Sequence, residues 1–255
     1  IGHTWFQFLL ASNESKHPWL DEGFAEYTCT FIENQLLKKS NKDPLRDSYN
    51  RYFSMVLDGK EQPMSTHADR FEYNSSYSTS TYRKGALFLA QLKYIIGEKN
   101  FKNTLKRYFK DWAFKHPTPI DFIRSAEKTS GLELDWFLTD WTQTLNTIDY
   151  AVEGVNEFGR GVRITLKRIG IMPMPVEVEV LLKDGRKLNY YIPLQMMRGE
   201  KPIMNEVLLL EDWAWAYPSY SFTIEIPDSE IESVTLDVKN ETADINISNN
   251  KKIIL

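Results

Sequence analysis

A single cysteine, Cys29, is the entire thiol inventory of this 255-residue chain, which excludes an internal disulfide and any thiolate cluster for a metal or redox motif. Histidine is nearly as scarce: there are four, and none follows His116. Apolar runs such as Ala86 to Ala90 and Val207 to Leu210 fall far short of the roughly 18 residues a membrane-spanning helix needs, so the chain carries no membrane segment. With 12 Gly and 11 Pro it is neither collagenous nor of low complexity. Positive charge is not in excess either. Lys and Arg number 31 against 35 Asp and Glu, a net charge of −4 that excludes a broad polyanion-binding face, and no nucleic-acid partner is expected. The amino end has no Met, no basic flank and no small-residue cleavage site, so Ile1 to Leu10 reads as the cut end of a longer protein rather than a signal peptide. These absences leave the compartment open.

What is present is an ordinary globular composition, 42% hydrophobic and 26% charged, at a length that allows one or two domains. A chain of this size buries about 70–75% of its unfolded surface, enough for a sizeable core. Up to about residue 150 the apolar residues recur at three and four. Seven helices are predicted: Ile1 to Leu10, Trp19 to Leu37, Pro44 to Leu57, Tyr82 to Ile96, Phe101 to Trp112, Pro119 to Lys128 and Leu134 to Thr144. After Tyr150 the period changes to two. Val162 to Leu166 and Val176 to Val180 alternate, and Lys183-Asp184-Gly185-Arg186 offers a hairpin turn into Leu188 to Ile192. Ser221 to Ile226 and Ile231 to Val238 complete the predicted strands. Helices followed by strands predict an α+β chain, divided into 1–150 and 151–255, with enough strands in the second part for a sandwich.

The chemistry lies near the amino end. Ile1-Gly2-His3-Thr4-Trp5-Phe6 precedes Trp19-Leu20-Asp21-Glu22-Gly23-Phe24-Ala25-Glu26-Tyr27, with 18 residues between His3 and Glu22. That interval suffices to finish one helix, make a loop and enter an antiparallel helix, so an imidazole and a carboxylate can converge. Zinc accepts such ligands, and a catalytic site takes three from the protein while keeping one position open to water. A bare pair also fits a helix histidine satisfied by a carbonyl and a first-turn acid favoured by the helix dipole. A second constellation, Tyr77-Ser78-Thr79-Ser80-Thr81-Tyr82-Arg83-Lys84-Gly85, sets two tyrosines five apart before an apolar helix.

These two stretches together resemble the aminopeptidase N family of zinc gluzincin metallopeptidases, which includes the leukotriene hydrolase branch. The family signature is His-Glu-x-x-His, then 18 residues, then a Glu in an Asn-Glu-Gly-Phe-Ala-like run, followed later by a tyrosine pair and x-Lys-Gly. The resemblance implies that His3 and Glu22 are zinc ligands, and that the first ligand and the general base occupy the two positions before Ile1. It also implies that Tyr82 donates a hydrogen bond to the tetrahedral oxyanion, with Tyr77 as an accessory tyrosine. Glu26, one helical turn past Glu22, is a candidate for binding the substrate amine or for a supporting role. Lys84 either orients a carboxylate near the site or is solvated at a helix start. Asp21 stands where Asn is usual, Gln7 where Gly is common and Arg83 where Glu is frequent. Leu134 to Trp141 resembles the family's late catalytic helix, and Met172 to Val176, Ala243 to Asn246 and Asn249-Asn250 resemble its following β-sandwich.

By this resemblance residues 1–150 are the helical lobe of a thermolysin-like catalytic domain, and residues 151–255 a small immunoglobulin-like β-sandwich. The implied activity is zinc-dependent hydrolysis of the amino-terminal peptide bond of peptides. The implied partners are a peptide substrate and the missing amino-terminal part of the same protein. With two of three ligands the chain alone is expected to hold zinc weakly or not at all, and to be inactive. The family loop that grips a free α-amine, Gly-x-Met-Glu-Asn-like, is not in the sequence, so the aminopeptidase label comes from the resemblance. The alternative is a non-catalytic interaction or scaffold segment of gluzincin-like fold. His17, His67 and His116 read as solvated, while Trp213 and Trp215, two apart in the β region, read as sharing one face.

Overall fold

The computed structural model describes residues 2–38 and 43–254, and the chain divides into two compact units, Ile1–Leu145 and Asn146–Leu255. Ile1, which opens the first motif, lies outside the described residues.

The first unit is helical. A π-helical turn, Thr4–Leu9, leads to α1 (Pro18–Leu36), which starts where Pro18 takes an early position that needs no amide donor. After α2 (Arg46–Leu57) a short α3 (Asn74–Ser78) runs through a second π-helical turn, Thr79–Arg83, directly into α4 (Lys84–Ile96). α5 (Glu98–Trp112), α6 (Pro119–Ser130) and α7 (Asp135–Gln143) complete the unit. The Thr118–Asp121 capping box starts α6 and Gly131, at φ +77°, ends it, as glycine does wherever a left-handed residue closes a helix. α4 is apolar almost all round and is buried accordingly, from Ala86 through Leu89 and again at Leu92 and Tyr94 to Ile96. Around it lies an aromatic core in which Phe88 meets Trp19 at 4.8 Å, Phe137 at 4.9 Å and Phe122 at 6.2 Å between ring centroids.

The second unit holds two sheets. One is β1 (Tyr150–Phe158), β2 (Gly161–Arg168) and β6 (Ser219–Ile224), all antiparallel. The other runs β5-β4-β3-β7-β8, comprising β3 (Val176–Leu182), β4 (Lys187–Ile192), β5 (Val207–Leu209), β7 (Ile231–Leu236) and β8 (Lys251–Ile253). Among the described residues, β5 is the one strand that joins its neighbour in parallel. The expected turn at Asp184-Gly185 connects β3 to β4, with Gly185 at φ +88°. Trp213 and Trp215 do not share a face: Trp213 is buried, bridging to Leu194, whereas Trp215 is half exposed, because the segment between them is not a strand.

The expected division at 150/151 falls at the first bond of β1. Tyr150 is 4% exposed, donates its hydroxyl to Met174 O at 3.1 Å, and gives its amide to the buried Asp244 carboxylate at 3.0 Å. Residues 146–255 expressed alone should therefore unfold cooperatively. Residues 151–255, which lose the Tyr150 phenol and leave Asp244 without one donor, should melt several degrees lower or without cooperativity. Thermal melts followed by circular dichroism compare the two, and equal melting temperatures would remove Tyr150 as an anchor.

Candidate metal centre

His3 stands at the head of the Thr4–Leu9 turn, and Asp21 and Glu22 lie in the first turns of α1. The interval of 18 residues thus does what the sequence suggested, bringing the imidazole onto the two carboxylates. His3 Nδ1 lies 2.8 and 2.9 Å from the two Asp21 oxygens, and His3 Nε2 lies 3.5 Å from Glu22 Oε2. An ionised carboxylate can only accept, so Nδ1 donates to Asp21, and Nε2 is the ring nitrogen that faces Glu22. Asp21 is 4% exposed, and burial pushes its carboxyl up to about 6 against the opposing pull of His3.

Glu22 Oε2 is buried and has no hydrogen-bond partner. An orphaned carboxylate oxygen is costly unless something else meets it. The 3.5 Å from that oxygen to His3 Nε2 is the span expected across one tetrahedral ion with bonds of about 2.0–2.2 Å to each. Among the described residues, His3, Asp21 and Glu22 are the group of three whose potential ligand atoms all lie within 4.8 Å of one another. Asp21 is engaged by Nδ1, which makes it the orienting partner that metal-bound imidazoles characteristically have. The donor set fits zinc with two ligands and one support. Sequence reasoning had noted Asp21 only as a departure from Asn; its burial beside a histidine was not visible there.

The tyrosine pair converges on the same place. Residues five apart lie about 140° apart round an α-helix, which would separate Tyr77 from Tyr82. The turn Thr79–Arg83 is wider, with the Lys84 amide bonded to Thr79 O, and an i→i+5 turn brings both phenols to one side. Burial, together with the neighbouring Glu22 carboxylate, raises the Tyr82 pKa; Tyr77 is raised by burial and by Glu22, Glu14 and Asp21.

Two glycines permit this convergence. A Cβ on Gly23 would fall 2.6 Å from Gly85 Cα, and one on Gly85 2.8 Å from Gly23 Cα, so α1 and α4 cross backbone to backbone beside Glu22 and Tyr82. Gly23→Ala should cost about 2–3 kcal/mol, the upper range for overpacking, because the obstacle is backbone rather than a movable side chain. Urea unfolding measures this, and an unchanged midpoint would mean the crossing can widen freely.

Two weaker candidates have charge partners of their own. Glu26 pairs with Arg83, whose other nitrogen lies 3.6 Å from Asp47, which fits the supporting role considered for it. Lys84 is not solvated; it is 1% exposed, with its ammonium 2.6 Å from Glu61. Substrate cannot reach it. Of the other histidines, His17 is the N-cap residue of α1 and part-buried, with its pKa lowered by burial and by Lys16, while His116 Nδ1 contacts Ala11 O at 2.9 Å.

The family model described as the peptidase family M1 domain matches residues 1–141. Aminopeptidase N of Haemonchus contortus is 24% identical over 226 residues, covering 83% of this chain and 23% of that protein. Probable aminopeptidase 1 of Saccharolobus solfataricus is 25% identical over 210 residues, covering 79% of this chain and 24% of that protein. The chain therefore spans about a quarter of the length of these curated relatives. In fold it is similar to the crystal structure of Legionella pneumophila aminopeptidase A in complex with aspartic acid, with a TM-score of 0.55 and 17% identity over 95% of this chain and 25% of that one.

Proposed function

The chain belongs to peptidase family M1, the family of aminopeptidase N, and from that premise we propose that it carries half of the catalytic centre of a zinc-dependent aminopeptidase acting on the amino-terminal bond of peptides. The observation that carries the reading is the buried Glu22 Oε2, without a hydrogen-bond partner, facing His3 Nε2, with the Tyr82 phenol close enough to the same carboxylate to be raised by it. His3 and Glu22 would hold the metal. Zinc, when bound, supplies a Lewis acid that polarises the scissile carbonyl and activates water.

This chain's own residues do the rest of what is proposed for it. Asp21 accepts from Nδ1, fixing the tautomer and the ring plane of His3. Tyr82 keeps its proton at neutral pH and donates it in a directed bond where negative charge develops on the carbonyl oxygen. Tyr77, on the same side of the widened turn, is an accessory group. The third protein ligand and the general base are assigned to the His-Glu that the family motif sets immediately before Ile1.

We read residues 1–150 as the helical lobe of a thermolysin-like catalytic domain and residues 151–255 as an immunoglobulin-like β-sandwich. Support for the sandwich comes from two mainly antiparallel sheets whose strands bury alternate residues, as in β3, where Val176, Val178, Val180 and Leu182 are buried. Its role is to support the lobe, since it holds no histidine or cysteine.

The test is turnover of amino-acid arylamides by the full-length protein. Release that stops with a chelator, returns with zinc and fails on amino-terminally blocked substrates is the expected result. Absence of turnover in zinc-loaded protein would favour the scaffold reading instead.

A further inference from the structure

Lys84 and Glu61 form a buried ion pair that the proposed chemistry does not use. Their side chains are 1% and 6% exposed and their charged atoms 2.6 Å apart. Rings of Tyr52 and Trp141 flank the ammonium at 5.7 and 5.5 Å, and the Trp141 indole donates to Lys84 O at 3.2 Å. Enclosing two charges costs several kcal/mol per ion after relaxation, and an apolar pair of like size often serves stability as well or better. Stability alone therefore gives a poor account of the pair, whereas fixing a register is the best attested use of one.

A register is what this segment has to fix. Ser76, Ser80 and Lys84 follow one another at intervals of four across the widened turn, and all three reach the same stretch of loop after α2. Ser76 Oγ donates to Lys60 O at 2.7 Å, Ser80 Oγ to Gln62 O at 3.4 Å, and Lys84 Nζ to Glu61 Oε1 at 2.6 Å. The loop is tied in turn to α7 through the Ser65 amide and Thr142 O at 2.8 Å. One face of the segment is thus held by three rungs, while Tyr77 and Tyr82 leave it toward Glu22. Without the rungs nothing in local propensity favours an i→i+5 turn, which is rare. Relaxation to an ordinary α-turn would rotate Tyr82 away from Glu22.

We propose that the Lys84–Glu61 pair is a positioning device for Tyr82: it pins the widened turn Thr79–Arg83 to the loop after α2 and so holds the phenol at the metal pair. This rests on the reading above only in giving Tyr82 a catalytic task.

The test uses the full-length protein in a four-variant cycle of Glu61→Gln and Tyr82→Phe. Glu61→Gln should lower kcat at least about 10-fold with KM and zinc content within twofold of the parent, and should have less than a twofold effect in the Tyr82→Phe background. An equal loss in both backgrounds, or no loss in either, would overturn the proposal. Should Glu61→Gln fail to fold, the apolar replacement Glu61→Leu with Lys84→Met keeps the packing, and the same kcat loss at an undiminished melting temperature is expected; retained kcat would overturn it. Amide hydrogen exchange over residues 79–84 reads the device without turnover and separates its failure from failure of the peptidase reading. Exchange should quicken at least about 10-fold in either variant while α1 is unchanged, and unaltered exchange counts against the device.

Discussion

Replacing Tyr82 by phenylalanine should lower kcat of the full-length protein about 100- to 1,000-fold and leave KM within a few-fold, because the lost hydrogen bond forms mainly to the transition state. The substitution keeps the ring, so packing of the segment into α4 is preserved. What disappears is a neutral donor. Burial is the main reason that the Tyr82 proton is held, and the neighbouring Glu22 carboxylate adds to it, so the phenol remains a donor throughout the neutral and mildly alkaline range. Steady-state kinetics against amino-acid arylamides separate the two constants. A Tyr82→Phe protein with normal kcat would take Tyr82 out of the mechanism, and one with normal kcat but raised KM would make it a ground-state contact.

Glu22→Ala should abolish stoichiometric zinc. Loss of a group that merely supports a ligand typically weakens metal affinity about 10- to 100-fold, and removal of a direct ligand exceeds that. Asp21→Ala supplies the internal comparison: it frees His3 Nδ1 and lets the ring turn, so its effect should lie within that range while zinc remains detectable. Metal analysis after dialysis of the three proteins gives the order parent, Asp21→Ala, Glu22→Ala. If Asp21→Ala lost more metal than Glu22→Ala, Asp21 would be the ligand and Glu22 the support.

The longer helices were legible because their apolar residues keep the α-period and their ends carry Pro18, Pro119 and Gly131, whereas the five-residue α3 is too short to show a period and was not read. β1 was not read as a strand, and the reason is physical: Gly154 and the register shift between Val152 and Gly154 break its alternation. β5 and β8 are three residues each, too short for any period to show. At the candidate centre, the types of His3, Glu22, Tyr77 and Tyr82 and their spacing could be recognised in the sequence. The π-turn that brings the two tyrosines to one side could not, since it depends on rungs from Ser76, Ser80 and Lys84 to a loop more than ten residues earlier. The same holds for Asp21, Glu26 and Lys84. Each found its partner, in His3, Arg83 and Glu61, across a tertiary contact that no local pattern announces.

The central claim is that His3 and Glu22 share one zinc ion. Anomalous diffraction at the zinc edge from crystals of the zinc-loaded full-length protein tests it without recourse to activity. The account predicts a single strong peak about 2.0–2.2 Å from both His3 Nε2 and Glu22 Oε2, with Asp21 still bonded to His3 Nδ1. A peak bound by Asp21 in place of Glu22, or zinc lying elsewhere with His3 and Glu22 in direct contact, would contradict it.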